Sequence, residues 1–279
     1  MAAPASSALE LLHVPDVEET LPPAIGGGFL PGAPRQARTR CPPDMVDVRG
    51  AFCIDRFEVE LIDAASGREL SPYYHPTRAQ VQTSYARYRK LGRTGSELPA
   101  LPAPPSFQLE REVEPRARTL EGVTPQGYLS GDAADAACRA AGKRLCSLAE
   151  WVTACRGQQN RKYPYGDRYA DSACNVFREA HPAAIVHGDA SREHLDPRLN
   201  LVGSARGPLL RRTGATPGCR SEWGGDAAFD MVGNLDEWVE EGVFVGGFYA
   251  RATREGCDAR ISSHPRQYFD YSLGTRCCR

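Results

Sequence analysis

Ten cysteines constrain the fold of this chain more than any other feature. All of them follow residue 40, and an even number spread over this part of the chain is typical of a disulfide framework. The competing use of cysteine is zinc, whose structural sites usually carry ligand pairs two to four residues apart. The chain has no C-x-x-C and no H-x-x-x-H. We therefore predict disulfides, formed by Cys41, Cys53, Cys138, Cys146, Cys155, Cys174, Cys219, Cys257, Cys277 and Cys278.

Spacing indicates partners for some of these cysteines. The predicted pairs are Cys41–Cys53, Cys138–Cys146 and Cys155–Cys174. The last of them would close a loop of about 20 residues, worth roughly 3 kcal/mol in the chain-entropy model. Cys277 and Cys278 are adjacent, so we expect them to bond to different partners. Two arrangements are then open for the last four cysteines, which are Cys219, Cys257, Cys277 and Cys278.

Disulfides persist in oxidising compartments, so the expected location is extracytoplasmic: periplasmic, secreted or envelope-anchored. The first residues, Met1 to Ser7, show neither a basic n-region nor an apolar h-region. No signal sequence is therefore expected in this chain, and we interpret it as one from which a leader has been removed. No apolar run approaches the ~20 residues that cross a bilayer. The 34 basic and 35 acidic residues give no reason to expect a nucleic-acid partner.

The sequence divides into a linker and a domain. Residues 1–40 are rich in Ala, Pro and Gly and are predicted to be a flexible linker or tether. Residues 41–279 form the predicted domain, with a proline-rich surface insertion around 95–126 in which we expect no regular element. The 27 glycines and 22 prolines of the chain favour a loop-rich fold.

Local signals predict three elements within the domain. Two short alternating stretches, at 45–48 and 51–62, are separated by Arg49-Gly50 and predict a hairpin. A helix is predicted over 132–142, with Ser130 as its cap. A second helix is predicted over 148–156, with Ser147 as N-cap and Glu150 at the capping-box position.

Four ordered blocks and one earlier segment carry most of the remaining information. The blocks are GKRLCSLAEW at 142–151, YPYGD at 163–167 followed by Cys174-Asn175, FDMVGNLDEW at 229–238 and LGTRC at 273–277, and the earlier segment is FCIDRFEV at 52–59. In this order they resemble the formylglycine-generating enzyme (sulfatase-modifying factor) family, over about residues 41–279. The family shows G-K-R-L-P-T-E-A-E-W-E, Y-P-W-G-D, D-M-x-G-N-V-W-E-W and G-F-R-C. The resemblance implies an α+β, elaborated C-type-lectin-like fold with little regular secondary structure.

The resemblance does not extend to the family's oxidase site. Oxidase members bind copper(I) through two cysteines five positions apart, after an R-G-G-S-(Y/W) strand, and thiolates suit that soft ion. Here the strand is FVGGFY at 244–249, and the aligned cysteine positions hold Arg251 and Gly256. Phe248 stands at the serine, and Asp236 at the first tryptophan of W-E-W. Cys257 lies one place from the second cysteine position, so it is only a remote catalytic candidate, and copper is not expected.

The same alignment implies a binding cleft beside Gly246-Gly247. Its predicted lining is Asp236, Phe248, Arg251, Arg260 and His264, the last two at basic positions of the family. For two other polar or aromatic clusters we favour a structural interpretation over a functional one. A loop with His187, Asp189, His194 and Asp196 is more simply solvated than metal-binding, and the run Tyr73-Tyr74-His75-Pro76 is more simply loop packing than a substrate wall.

The family's oxidases also hold structural Ca²⁺, and the resemblance implies partial ligand sets here. Asn175, the Val176 carbonyl and Asp189, which is 14 residues after Asn175, match one site. Asn234 matches a second. Oxygen ligands of these kinds are those that Ca²⁺ prefers, although it takes six to eight of them. Any such ion is expected to be structural.

Two functions from different classes follow. The first is an exported, disulfide-stabilised member of the family without copper-thiol oxidase activity, which binds a peptide, glycan or envelope partner. The second is a metal-dependent oxidase that modifies a peptide or secondary metabolite with a rearranged site. The fold is compatible with both functions, so the geometry of the site must distinguish them.

Overall fold

A computed structural model describes residues 41–91, 98–176, 180–251 and 254–279. The predicted linker over 1–40 lies outside these residues. The helices are α1 (Arg78–Leu91), α2 (Ser106–Glu110), α3 (Gly131–Ala140), α4 (Leu148–Arg156) and α5 (Pro182–His187), with 3₁₀ turns at Leu199–Leu201 and Gly256–Asp258. The strands are β1 (Met45–Val48), β2 (Phe52–Asp55), β3 (Val59–Asp63), β4 (Pro115–Thr119), β5 (Arg144–Leu145), β6 (Gly203–Ser204), β7 (Gly207–Pro208), β8 (Arg220–Trp223), β9 (Asp226–Phe229), β10 (Asp236–Trp238), β11 (Phe244–Val245), β12 (Arg260–Ile261), β13 (Leu273–Gly274) and β14 (Cys277–Cys278).

The predicted α+β, loop-rich class is confirmed, with roughly 22% helix and 21% strand. One sheet has four strands in the order β1-β2-β14-β5, and another has the order β12-β11-β10-β13. Three two-stranded pairs, β3-β4, β6-β7 and β8-β9, complete the pairing among the described residues. Strand β10 runs antiparallel to β11 and parallel to β13. This sheet positions the candidate site.

The predicted hairpin forms between β1 and β2. Arg49 and Gly50 both have positive φ, at 57° and 67°, which a two-residue turn of the primed type requires. The second predicted stretch does not continue as one strand. After Asp55 the chain turns, and β3 pairs antiparallel with β4 instead.

Both predicted helices form with their predicted caps. Ser130 accepts a hydrogen bond from the backbone of Ala133 at the start of α3. Ser147 and Glu150 complete the capping box of α4, in which each side chain bonds to the other's backbone N–H. Each cap satisfies donors that the first turn of a helix leaves unpaired. Local sequence therefore decides where these two helices begin.

The expectation of no regular element around 95–126 is wrong. Helix α2 and strand β4 lie in this segment, and Phe107 and Ala117 are buried. The prolines are compatible with this order because of where they stand. Pro105 immediately precedes α2 and Pro115 is the first residue of β4, positions at which a missing N–H costs little.

Five disulfides use all ten cysteines, and two of the three predicted pairs are wrong. Cys41–Cys53 is confirmed, but Cys138–Cys146 and Cys155–Cys174 do not form. The other bonds are Cys138–Cys277, Cys146–Cys278, Cys155–Cys257 and Cys174–Cys219. Their sequence separations run from 45 to 139 residues, so local spacing carries no information about them. The bonds indicate an oxidising, extracytoplasmic environment.

The adjacent cysteines do bond to different partners, as predicted, and the sheet explains why. Strand β14 lies between β2 and β5, and Cys277 is opposite Leu145. Successive side chains of a strand point to opposite faces. Cys277 therefore meets Cys138 of α3, while Cys278 meets Cys146.

Buried polar contacts join the sequence blocks to one another. The carboxylate of Glu237 accepts hydrogen bonds at 2.7 Å from Trp151 Nε1 and from Arg276 Nε and Nη2. Arg276 is fully buried. Lys143 Nζ donates to Asp55 Oδ1 at 2.6 Å. Three of the four blocks and the earlier segment thus supply partners for one another, which gives a physical reason for finding them in one chain.

Buried apolar residues form three clusters around these contacts. One surrounds Trp151, a second surrounds Trp238, and the third contains Leu210, Phe248, Tyr249 and Tyr271. In the described part of the chain, none of the helices is both long enough and apolar enough to cross a membrane.

Candidate functional site

The candidate site begins where β11 ends. Gly246 and Gly247 have φ values of 86° and 76°, which glycine adopts far more readily than other residues. A Cβ on Gly246 would lie 2.8 Å from the Met231 carbonyl oxygen, so the position also needs a residue without a side chain. The turn directs the backbone N–H of Gly247 to Asp236 Oδ1, at 3.0 Å. The double glycine thus places this turn against the start of β10.

Asp236 and Arg251 form an ion pair at this turn. Arg251 Nη1 lies 3.0 Å from Asp236 Oδ1, and Nη2 lies 2.8 Å from Oδ2. The carboxylate is fully buried, whereas the arginine side chain is 28% exposed. Burial raises the pKa of Asp236 to about 7, and the charge of Arg251 is the main opposing cause. The two residues that stand at a tryptophan and a cysteine of the oxidase pattern are therefore partners of each other.

Phe248 completes what we call the Asp236–Arg251 corner, which consists of Asp236, Phe248 and Arg251. The Arg251 guanidinium lies 5.2 Å from the Phe248 ring centroid, within the range of a cation–π contact. Phe248 itself is buried against Tyr249, Tyr271 and His181. A residue that is serine in the oxidase pattern here fills an aromatic cluster and supports the arginine.

The second cysteine position lies in a disulfide-bonded turn. Gly256 has a φ of 62°, and a Cβ there would lie 2.4 Å from the Lys162 carbonyl oxygen. No side chain, and so no thiol, fits this position without a backbone shift. The next residue, Cys257, is fully buried and bonded to Cys155. The remote catalytic candidate therefore has no thiol to offer.

The other two predicted cleft residues make their contacts elsewhere. Arg260 is exposed on β12, opposite Val245. His264 stacks on Tyr268 at 4.0 Å between ring centroids, and on Phe244 at 5.7 Å. Direct contacts thus bring together three of the five predicted residues, Asp236, Phe248 and Arg251.

The residues present do not fit copper(I) in the manner of the family's oxidases. That site needs thiolates, and every cysteine of the chain is in a disulfide. A guanidinium and a glycine stand at the two ligand positions. These positions therefore offer no thiolate ligand for copper(I).

The predicted calcium ligands have different surroundings. Asn175 Nδ2 donates to Asn234 Oδ1 at 2.9 Å and to the Leu209 carbonyl at 2.8 Å, while its buried Oδ1 makes no hydrogen bond to the described residues. Asn234 Oδ1 also accepts from the backbone of Arg211. Asp189 is at the surface, where Ser191 donates to it. Asn175 Oδ1 therefore has lone pairs that accept no hydrogen bond from the described residues, and a hard cation could bind there.

The histidine loop is ordered by its own contacts. The buried carboxylate of Asp196 lies 3.0 Å from His187 Nε2 and 2.6 Å from Arg198 Nη2. His194 Nε2 lies 2.8 Å from the Ala190 carbonyl. Among the residues that the structure describes, no three His, Cys, Asp or Glu side chains are grouped as metal ligands would be.

Comparison with known proteins assigns the chain to a family. A family model described as "Sulfatase-modifying factor enzyme 1-like domain" matches residues 24–261. The chain belongs to this family. The match confirms the resemblance and the predicted fold. No curated protein sequence matches the chain.

Two solved structures are similar to this chain at low sequence identity. "Crystal Structure of CarF" is 17% identical, covers 82% of this chain and 86% of that chain, and has a TM-score of 0.39. "Structure of PvdO from Pseudomonas aeruginosa" is 18% identical, covers 82% and 80%, and has a TM-score of 0.37.

Sequence reasoning identified the corner's residues one at a time but missed their pairing. The available signal was that an acidic and a basic residue depart from the family pattern together, at Asp236 and Arg251. Compensating charges at two departures indicate contact, since a buried carboxylate needs a partner.

Proposed function

We propose that this protein is a member of the sulfatase-modifying factor family without copper-thiol oxidase activity, which acts outside the cytoplasm as a binding or accessory protein for a peptide, glycan or envelope partner. The observation that supports this most is the Asp236–Arg251 ion pair. It replaces a soft-metal ligand by a cation that is already neutralised by a buried acid.

The chemistry of the corner argues against thiolate-dependent oxygen activation. A guanidinium keeps its proton at any physiological pH and has no lone pair to give to a metal. Its charge also disfavours a nearby cation. Cys257 is bonded to Cys155 and supplies no thiolate. The remaining roles of the corner are to hold the Gly246-Gly247 turn through Asp236 and to present one edge of Arg251 to solvent.

The alternative is a metal-dependent oxidase with a rearranged site. It would need a ligand set drawn from other side chains, and the histidine loop has its carboxylate engaged by His187 and Arg198. No contact in the described residues favours this alternative, so it enters as an outcome of the test.

Copper(I) titration against a chelator of known affinity, under anaerobic conditions, tests the proposal. We expect no stoichiometric copper(I) to bind the native protein, and no oxygen consumption when a cysteine-containing peptide is added with copper. The variant Cys257→Ala with Cys155→Ala is the matched control for Cys257. One equivalent of copper(I) bound by the native protein, or thiol-peptide oxidation that requires a metal, would support the oxidase instead.

A structural Ca²⁺ near Asn175 and Asp189 belongs to the same proposal, and a second ion at Asn234 is the weaker part of it. The unpaired Asn175 Oδ1 supports the first position, whereas the Asn234 oxygen already accepts two hydrogen bonds. Protein that contains calcium by elemental analysis should unfold at a lower temperature after chelation. An unchanged midpoint, in protein shown to contain no calcium, would dismiss the ion.

A further inference from the structure

A groove of about 480 Å³ lies beside the segment that precedes β8. Its lining includes Tyr73, Leu201, Leu210, Arg211 and Arg212, and we call it the Arg211–Arg212 groove. Its volume is in the range of sites that accept a small molecule or a few residues of peptide. Leu210 is buried as part of the groove floor, and Tyr73 is half-buried at its side.

The backbone that carries the two arginines is held on both sides. Asn234 Oδ1 accepts from the backbone N–H of Arg211 at 3.0 Å, and its Nδ2 donates to the Arg211 carbonyl at 3.2 Å. Thr213 exchanges backbone hydrogen bonds with Gly122 and Val123, at 2.9 Å each. The groove is therefore preorganised, which lowers the entropic cost of binding.

Both guanidinium groups face neutral acceptors. Arg211 Nη1 donates to Thr216 Oγ1 at 3.0 Å, and Arg212 Nη1 donates to the Gly122 carbonyl at 2.7 Å. Neither is in an ion pair with a carboxylate of the described residues. Burial raises the pKa of Asp230 to about 6, with the charge of Arg211 only a minor opposing cause, and the hydrogen bond to Asp230 comes from the Gly214 backbone. Each arginine has five N–H donors, so most of them are available to a ligand.

Charge and shape together indicate the occupant. We infer that the Arg211–Arg212 groove binds an extended peptide segment in which an acidic side chain pairs with the arginines and a neighbouring apolar side chain lies on Leu210 and Tyr73. Arginine forks match carboxylates in geometry and bind them in paired hydrogen bonds. A leucine floor with Tyr73 as the aromatic wall favours a peptide over a glycan, because sugars need a denser set of polar partners. This inference rests on the proposed binding function and assigns it a surface.

Selection from a random dodecapeptide display library on the immobilised native protein tests the inference. We expect enriched sequences to share Asp or Glu next to an apolar residue. Peptides made from them should bind roughly tenfold or more weakly to Arg211→Gln or Arg212→Gln, since each substitution removes a charge-assisted hydrogen-bond partner. Arg220→Gln is the matched control, because Arg220 is an exposed arginine of β8 whose partner is Glu222, and it should leave binding unchanged.

The outcomes separate this inference from the proposed function. Enrichment without an acidic residue, or equal binding to Arg212→Gln and Arg220→Gln, overturns the groove as an acidic-peptide site. So does retention of uronate-containing oligosaccharides by the native protein when no acidic peptide binds. Each of these results is compatible with a protein that takes no copper(I). Conversely, copper(I) binding with thiol oxidation would overturn the proposed function even if acidic peptides bind.

Discussion

The Asp236–Arg251 corner and the Arg211–Arg212 groove both present arginine, yet the charge is used differently in each. In the corner, the guanidinium lies against a fully buried carboxylate and an aromatic ring. In the groove, two guanidinium groups bond to a hydroxyl and a carbonyl, with no carboxylate of the described residues in an ion pair with them. The arginine of the corner has a carboxylate as its ion-pair partner, and the arginines of the groove have none among the described residues.

Under the proposed function, the corner replaces an oxidase site and the groove is a separate binding surface. Replacing a thiolate by arginine in a buried place requires a neutralising acid, because an unpaired buried charge is strongly destabilising. Asp236 provides that acid at the cost of its own desolvation, which its raised pKa reflects. At the groove Arg212 is exposed and Arg211 is half-buried, and both guanidinium groups have neutral acceptors in place of an acid.

Disulfide removal gives the largest expected effect on either region. Cys155–Cys257 spans 102 residues and ties the turn next to the corner, so replacing both cysteines by alanine should cost about 4.7 kcal/mol in the chain-entropy model. Cys174–Cys219 spans 45 residues and encloses the groove segment, for which the same model gives about 4 kcal/mol. Denaturant unfolding of the two double variants measures both costs. A loss below about 1 kcal/mol for the first would show that the corner does not depend on that bond.

Asn234 connects the two regions, so its replacement should affect both. Asn234→Ala removes one hydrogen bond each from Glu58 and Asn175 and both side-chain hydrogen bonds to the backbone of Arg211, and we expect a loss of about 3 kcal/mol of stability. Residue 234 also has a φ of 59°. Asn234→Gly is therefore the control, because it relieves the backbone strain while losing the same hydrogen bonds. Equal stability of Asn234→Gly and the native protein would mean that those bonds contribute no more than the roughly 1–2 kcal/mol that relief of the left-handed backbone conformation supplies.

The pH dependence of stability should separate the regions next. Burial raises the pKa of Asp236 to about 7, and those of Asp55 and Asp230 to about 6. A carboxyl whose pKa is higher in the folded state binds protons more tightly when folded, so its contribution falls as pH rises from about 4 to about 7. We expect a higher free energy of unfolding near pH 5 than near pH 8.

Variants separate the contributions to this pH dependence. Asp236→Asn should remove the part of the fall that lies closest to pH 7, while Asp55 and Asp230 keep their contributions at lower pH. Arg212→Gln should leave the shape of the profile unchanged. Below about pH 4 the trend should reverse, because hydrogen bonds from Arg111 and Ser66 lower the pKa of Asp63 to about 2 and are lost when Asp63 is protonated. Stability that rises steadily from pH 5 to pH 8 would contradict the sign of the Asp236 shift.

Arg212→Gln should have the smallest effect on stability, within about 0.5 kcal/mol, because the side chain is exposed and its bond is to a surface carbonyl. Arg251→Gln should cost about 3 kcal/mol, since it leaves the buried Asp236 unpaired. Thermal unfolding of the two variants side by side is the measurement. Equal losses of stability in the two variants would mean that Arg251 is no more important to the folded state than the exposed Arg212.

The parts of the fold that sequence predicted correctly are governed by local rules. The hairpin follows from Arg49-Gly50, helix α4 from Ser147 and Glu150, and Cys41–Cys53 from the hairpin that it crosses. By contrast, Cys155–Cys257 and Cys174–Cys219 depend on contacts between distant segments. Nothing in the spacing of cysteines records those contacts.

The candidate site divides in the same way. The alignment to the family located Asp236, Phe248 and Arg251 as departures, but their ion pair became visible only when β10 and the Gly246-Gly247 turn were adjacent. The groove gave no sequence signal, because Arg211-Arg212 is indistinguishable from an ordinary solvated charge pair. Tyr73, for which loop packing was favoured, is packed in this way and also lines the groove.

A double-mutant cycle between Asp236→Asn and Arg251→Gln tests the central claim most directly. If the two departures from the oxidase pattern compensate each other, the double variant should be more stable than the sum of the single losses predicts, with a coupling free energy of about 2 kcal/mol. Denaturant unfolding at a pH above the pKa of Asp236 gives the four free energies. Additivity within about 0.5 kcal/mol would contradict the account, because Asp236 and Arg251 would then be independent replacements rather than one ion pair in place of a metal site.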